Sequence, residues 1–257
     1  MIERLLAHLG LEREKPSLAY LDRLIEAHQT RVPFETLSKL ADWEPGRERG
    51  DFLPPLDLYI ERMITRGGGG LCWTLARGFH ALLVDLGFDA SFMHMEPGHL
   101  CVRVELPEGP YYADVGYAAP LFRAYPLFES FTLDTHREAF TYQVSPSGIL
   151  VTRNPGPTKT LDPTPRPLAH FAPFIAAANH PDTAVFLRRL AYSRFVDGTW
   201  TSLRDGALHR FLPEGLVKTE VAPEDAPGVL AEVFGADPAL WIEAERQLER
   251  LPPPAPA

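Results

Sequence analysis

The sequence predicts an α+β fold, with helices gathered in the first third, strands in the middle and both in the remainder. Two local patterns carry this. Leu75, Phe79, Leu82, Leu83 and Leu86 recur at spacings of three and four, which is one face of a helix that begins at Cys72 and stops at Gly87. The run from His99 to Leu106 alternates, with Leu100, Val102, Val104 and Leu106 on one face, as a half-buried strand does. A length of 257 residues at 45% hydrophobic content suits one large domain or two to three small ones.

The elements follow in order. Apolar spacing predicts helices over 2–9, 18–28 and 56–64 and from Cys72, with 44–55 a charged, Pro/Gly-containing surface loop. Strands are predicted over 90–95, in the His99 hairpin, and over 131–133, 140–144 and 149–152, with Ser147-Gly148 as a turn. Residues 153–167, rich in Pro and Thr, read as a connection into a short helix over 168–178 that Pro173 shortens or kinks. A helix over 182–190, strands around Phe195, Trp200 and Leu208, and a last helix over 238–251 complete the chain. The Pro-rich tail 252–257 is expected to be disordered. Three regions result: 1–86, mostly helical; 87–180, strand-rich; and 181–257, mixed.

Composition narrows the function. A net charge of −9, with no run dense in Lys and Arg, argues against non-specific nucleic-acid binding. No apolar run reaches the roughly 18 residues that span a bilayer. The first residues carry Glu3 and Arg4 and lack the apolar core of a signal peptide. A soluble cytoplasmic protein with no membrane or nucleic-acid partner is the expectation. Two cysteines in a chain of this length fit a reducing compartment.

The stretch Arg66-Gly67-Gly68-Gly69-Gly70-Leu71-Cys72 is the most informative. It places a cysteine in the first turn of a helix, beside unpaired backbone N–H groups and the positive end of the helix dipole. Those groups favour the thiolate, the nucleophilic form, and Arg66 adds positive charge. The same stretch also fits a plain loop followed by a small buried thiol. A phosphate loop lacks its Gly-Lys-Ser/Thr, and a dinucleotide fingerprint lacks its preceding strand.

The hairpin offers the partners such a cysteine needs. If Leu106 pairs with Tyr111, Arg103 lies opposite Asp114, and His99, Arg103 and Asp114 share one face. His99 then lies about four residues, roughly 13 Å, along the ladder from Asp114, a gap that a bulge or an irregular turn must close. With the gap closed, His99 takes the proton of Cys72 and Asp114 fixes the histidine tautomer. A zinc site from Cys72, His94, His99 and Cys101 matches none of the usual ligand spacings, so no metal is expected. A Cys72–Cys101 disulfide is a further alternative.

In these residues the chain resembles the arylamine N-acetyltransferases of the bacterial type. The resemblance runs through His28-Gln29-Thr30-Arg31-Val32-Pro33-Phe34-Glu35-Thr36-Leu37, the glycine loop ending in Cys72, the His99-led strand and Asp114-Val115-Gly116-Tyr117. It continues in Asn179-His180-Pro181-Asp182 and in Val229 to Gly235. It also shows departures. The family's arginine four residues before the cysteine is Gly68 here, with Arg66 displaced by two. Its Glu and Asn after the cysteine are Thr74 and Ala76, the Asn after Pro-Phe-Glu is Thr36, and the glycine after the Asp-Val-Gly-Phe segment is Ala118.

The resemblance implies a helical bundle, a central antiparallel β-barrel and an α/β lid around a cysteine-protease-like catalytic core. It implies acetyl transfer from acetyl-coenzyme A to an arylamine, arylhydroxylamine or arylhydrazine through an acetyl-Cys72 intermediate. Cys72, His99 and Asp114 would be catalytic. Phe34, Tyr117 and Phe122 would wall the amine pocket, Gly98 and Tyr117 would mark the coenzyme neighbourhood, and Glu35 would pair with Arg66. A cysteine hydrolase or transglutaminase-like enzyme with the same triad, and a non-catalytic binding module, are the readings from other classes.

Overall fold

A computed structural model describes residues 1–252, so all of the expected disordered tail beyond Pro252 lies outside the described residues. The chain opens with α1 (Ile2–Leu9), α2 (Leu18–Arg31), the short strand β1 (Phe34–Glu35), α3 (Leu37–Arg49), α4 (Leu56–Arg66) and α5 (Cys72–Asp85). Ser17 caps α2 by accepting from the Tyr20 N–H at 3.2 Å. The face of α5 read from the sequence packs as expected: Leu75, Phe79, Leu82, Leu83 and Leu86 share one core with Leu100, Val102 and Val104 of the following hairpin.

Residues 44–55 are not simply a loop, because α3 runs through Pro45 to Arg49 and ends on Gly50 in the left-handed region (φ 70°). The helix survives its proline because its neighbours hold it. Trp43 is buried and donates from its indole Nε1 to the Asn179 carbonyl at 2.9 Å, and Asp42 takes a bidentate pair from Arg62 at 2.7 and 2.8 Å. Leu37, Leu40 and Trp43 pack in one core with the C-terminal helices. Tertiary burial thus overrides a local breaker signal.

The strands β2 (Asp89–Met95), β3 (His99–Leu106), β4 (Gly109–Ala113), β5 (Tyr125–Pro126), β6 (Phe131–Asp134), β7 (Ala139–Ser145), β8 (Gly148–Asn154) and β9 (Thr158–Arg166) form one antiparallel sheet in the order β5-β4-β3-β2-β9-β8-β7-β6. The sheet curls, bringing its edges together through side chains. Tyr125 of β5 stacks on Phe131 of β6 with ring centroids 3.8 Å apart, and Tyr142 donates to the Leu127 carbonyl at 2.8 Å. The hydrogen-bonded order itself ends at β5 and at β6, so the expected barrel is a curled sheet.

The stretch 153–167 is mostly strand β9 rather than a connection. Its prolines mislead the eye, but Pro163 and Pro165 fall where the pairing with β2 shifts register, between Phe92↔Arg166 and His94↔Asp162. A bulge is where a strand tolerates proline.

The rest of the chain holds α6 (Ala172–Ala177), β10 (Ala191–Val196), β11 (Thr199–Arg204), β12 (Ala207–Leu212), β13 (Gly215–Glu220), α7 (Ala226–Phe234) and α8 (Pro238–Arg250). In place of the helix expected over 182–190 there is a single 3₁₀ turn, Val185–Leu187. β13 and α7 were not anticipated from the sequence. The second sheet has the order β1-β10-β11-β12-β13, so a strand from the helical first third edges a C-terminal sheet. β1 and α3 therefore side with the last region of the chain, across the boundaries drawn from sequence. Among the described residues no helix is long and apolar enough to cross a membrane.

One buried group sets an acid limit on this fold. His28 of α2 is buried, packs edge-on to Phe79 at 5.5 Å, and neither ring nitrogen has a hydrogen-bond partner among the described residues. Burial, aided by the charge of His8, pulls its pKa from 6.5 down to about 3. The unfolded chain takes up this proton first, so stability is full above pH 6.5 and drains as pH falls from 6.5 toward 3. His28→Leu, which keeps the volume and removes the orphaned nitrogens, is expected to gain about 2 kcal/mol at pH 5 relative to its effect at pH 7.5. Urea titrations at the two pH values measure this. Equal effects at both would mean that His28 is not held neutral.

Candidate active site

The site is built where three elements meet. The glycine loop after α4 is tied down from several sides. The Glu35 carboxylate accepts from the Gly69 N–H at 2.9 Å and the Ser38 N–H at 2.8 Å, and the Glu35 N–H donates to the Gly70 carbonyl at 3.0 Å. Tyr192 of β10 donates to the Gly67 carbonyl at 2.7 Å. Glycine is required at 69, because a Cβ there would lie 2.0 Å from the Pro33 carbonyl oxygen.

Arg66 does not pair with Glu35. It reaches the C-terminal segment instead, at 2.7 Å to Asp237 and 2.9 Å to Glu243. Arg66 is the last residue of α4, whereas position 68 lies in the following loop, whose Gly69 N–H meets the Glu35 carboxylate. Arg62, one turn earlier, is the guanidinium whose charge acts on Glu35, while its own ion pair is with Asp42. Thr36 anchors the start of α3 to β10, donating to the Arg189 carbonyl at 2.6 Å and accepting from the Ala191 N–H at 2.9 Å. Ala76 is buried in the helical core, and Thr74 packs under Gly70.

Cys72 opens α5 with no side-chain cap on the helix, leaving first-turn N–H groups beside it. His99 opens β3, and Asp114 follows directly after β4. The hairpin register differs from the one drawn from sequence. Leu106 pairs with Gly109, not Tyr111, and Arg103 with Tyr112, not Asp114. The turn is therefore two residues shorter, Pro107-Glu108 alone, and the shift of two keeps the parity. It carries Asp114 to the position across from Cys101, a diagonal neighbour of His99, within side-chain reach without a bulge. The His99 Nε2 lies 2.7 Å from Asp114 Oδ2.

Asp114 is fully engaged. It also accepts from the Tyr112 hydroxyl at 2.8 Å and the Gly116 N–H at 2.9 Å, and its backbone carbonyl accepts from Gln29 of α2 at 3.0 Å. Both His99 and Asp114 are buried. Burial by itself pulls the His99 pKa down, but the Asp114 charge and hydrogen bond, with a hydrogen bond donated to the Cys72 sulfur and the charge of that sulfur, outweigh it and raise it from 6.5 to about 9. With Nε2 on Asp114, Nδ1 is the nitrogen left for Cys72. Gly116 lets the Asp114 segment close on the nucleophile: a Cβ there would sit 2.8 Å from the Cys72 Cα. Cys101 is separate, buried among the tyrosines of the curled sheet, and both cysteines are free. His94 instead pairs with His170 at 3.2 Å, and no set of residues suited to a metal exists among the described residues.

A cavity of about 540 Å³ surrounds the Cys72–His99 pair. Phe34, Gly98 and Tyr117, named from the sequence, line it. Phe122 does not: it packs against Phe195 at 4.9 Å and lines a different cavity of about 400 Å³, because the C-terminal sheet draws it away. Sequence reasoning missed Trp73, Lys39, Arg153, Lys159, Phe174 and Phe186. Trp73 was readable as the neighbour of Cys72, and its indole fixes the Gly98 carbonyl at 2.9 Å. Lys159 sat in the stretch taken for a connection. Burial drops the Lys39 pKa from 10.5 to about 8, against the opposing charge of Cys72, and also lowers that of Lys159.

Comparison with known proteins gives the family and the fold. A family model described as N-acetyltransferase matches residues 17–237. No curated protein matches the chain. Among solved structures, the arylamine N-acetyltransferase of Mycobacterium marinum superposes with a TM-score of 0.80 at 18% identity, covering 98% of this chain and 99% of that one. The same enzyme in complex with CoA gives 0.79 at 18% identity, with the same coverage. An arylamine N-acetyltransferase of Bacillus cereus, described as having a unique Cys-His-Glu triad, gives 0.74 at 16% identity, covering 92% of this chain and 98% of that one. Where that protein is described with a glutamate, the carboxylate on His99 here is Asp114.

Proposed function

The chain belongs to the arylamine N-acetyltransferase family, and on that premise we propose that it moves an acetyl group from acetyl-coenzyme A to an aromatic amine through an acetyl-Cys72 intermediate. The observation that carries this reading is the Cys72–His99–Asp114 chain at the wall of a cavity large enough for the reacting ends of both substrates. The M. marinum enzyme's complex with CoA supports the choice of donor.

The cycle runs in two halves. His99 holds the Cys72 proton, and Asp114 stabilises the imidazolium. The thiolate attacks the thioester carbonyl. The carbonyl oxygen takes negative charge beside the unpaired N–H groups of the first turn of α5. The bond to the coenzyme sulfur breaks, and that sulfur leaves with the His99 proton. An arylamine then attacks the acetyl carbon and gives a proton to His99, and the Cys72 thiolate is expelled. Aromatic amines suit the second half because they are weakly basic and stay unprotonated near neutral pH. Phe34 and Tyr117 offer aromatic surface to the ring.

Intact mass spectrometry tests the first half. Incubation with acetyl-coenzyme A is expected to add one acetyl group, located on Cys72, and an arylamine is expected to discharge it within a turnover. Discharge by water at the same rate would make the protein a hydrolase. No acetyl group on Cys72 would remove the reading altogether.

A further inference from the structure

The four glycines before Cys72 are not constrained alike. Gly67 and Gly70 sit in the left-handed region, at φ 71° and 150°. A Cβ at Gly69 would run into the Pro33 carbonyl. Gly68 is different: its φ lies outside the left-handed region, so its backbone conformation does not demand glycine. A Cβ there would meet a side chain, the Arg62 stem, at 2.8 Å from Cγ and 3.0 Å from Cδ, with Ser38 Oγ at 3.1 Å. Position 68 is thus kept free of a side chain by Arg62, which already occupies the space.

Arg62 meets the loop in three ways. Its carbonyl, near the end of α4, accepts from the Gly68 N–H at 3.2 Å. Its stem packs on Gly68. Its charge acts on Glu35, whose two carboxylate oxygens hold the Gly69 and Ser38 N–H groups, one each. An ionised carboxylate answers two such donors best. Burial pushes the Glu35 carboxyl up, and the Arg62 charge opposes that. Asp42 keeps the guanidinium in place through its bidentate pair at 2.7 and 2.8 Å. Arg62 itself lines no part of the Cys72 cavity.

We propose that Arg62 is a positioning residue for Cys72: its stem sets the glycine loop at Gly68, and its charge supports the Glu35 carboxylate that holds the loop at Gly69. This rests on the acyl-transfer reading above and adds to it a residue outside the cavity. Gly68 and Gly69 precede Cys72 by four and three residues, so a shift there moves the sulfur relative to His99. Misplacement by about 1 Å costs about 100-fold in rate. The geometry also allows an exchange. A side chain starting at position 68 begins beside the middle of the Arg62 stem, so an arginine placed there reaches Asp42 and Glu35 once the Arg62 side chain is removed.

Arg62→Ala, Gly68→Arg and the double variant make the test. Acetylation of Cys72 by acetyl-coenzyme A is followed in single turnovers by intact mass. Alkylation of Cys72 by iodoacetamide reads the presentation of the sulfur without any acyl donor. Each single variant is expected to slow both reactions by about 100-fold, the first by leaving the loop unsupported and the second by setting two stems in one space. The half-saturating concentration of acetyl-coenzyme A should stay within about 3-fold of the parent value, because no contact to the reactant is lost. The double variant is expected to recover both rates to within about 10-fold of the parent, a reversal that two independent losses do not give. Arg62→Lys, which keeps a stem and a charge, should lose less than Arg62→Ala. A double variant faster than both single ones supports the proposal. One no faster than either overturns it, as do unchanged rates in the single variants or a loss that falls on half-saturation alone. Where a single variant does not fold, a folded and reactive double variant supports the proposal and an unfolded one overturns it. If Cys72 takes up no acetyl group, the acyl-transfer reading fails, while the alkylation rates still decide the role of Arg62.

Discussion

Cys72→Ala is expected to abolish acyl transfer to every acceptor while the protein stays folded. The side chain is small and only partly buried at the cavity wall, and its loss removes one sulfur from a helix start that the glycine loop and Gly116 hold through backbone. No neighbouring group can replace it. Cys101, the other thiol, is completely buried in the curled sheet, and burial pushes its pKa well up. Loss of turnover by about 10⁴-fold or more in Cys72→Ala, against near-full activity in Cys101→Ala, is the expected pattern. Steady-state assays with thermal unfolding of both variants measure it. Turnover surviving in Cys72→Ala would sink the covalent mechanism.

Asp114→Asn is expected to cost about 10³- to 10⁴-fold in kcat/KM and to change the pH behaviour of the whole protein. The substitution removes the charge that opposes the burial of His99, so its pKa, held at about 9, falls. The Tyr112 hydroxyl and the Gly116 N–H bond to different oxygens of the carboxylate, so the amide also turns its NH2 toward one of these two donors. The sign of the stability effect follows from the direction of the shift. The native state binds the His99 proton more tightly than the unfolded chain, so this contribution is fully present below pH 6.5 and is lost as pH rises through about 9. Its size is about 3 kcal/mol. The gap in Tm between the parent and Asp114→Asn should therefore narrow from pH 6 to pH 9.5, and the alkaline limb of activity should move to lower pH in the variant. Parallel stability curves across that range would show that the pair is not charged in the folded protein.

Much of the site was legible in the chain because it is local. A cysteine after four glycines, at the start of an apolar helix face, states its own position, and α5 begins at that residue. The alternation of β3 gave the face of His99 correctly, since parity along a strand is a property of the backbone. Register is not local. Two residues of turn length moved Asp114 from a distant rung to a diagonal neighbour of His99, and only the closed hairpin fixes that number. Proline signals misled twice, at Pro45 inside α3 and along β9, where packing on Trp43 and a register shift absorb them.

The sequence by itself determined the α+β class, the helix that presents Cys72, the strand that presents His99 and the family resemblance, because each is written in short-range periodicity or in a contiguous motif. The tertiary structure decided which charges meet. Arg66 went to Asp237 and Glu243 rather than Glu35, Phe122 went to a different cavity, and Lys159 came to stand by Tyr117. These partners are remote in sequence, up to 177 residues apart for Arg66 and Glu243. A side chain's partner across such a span is chosen by how the two sheets and the C-terminal helices pack around the cavity, and no spacing along the chain encodes that choice.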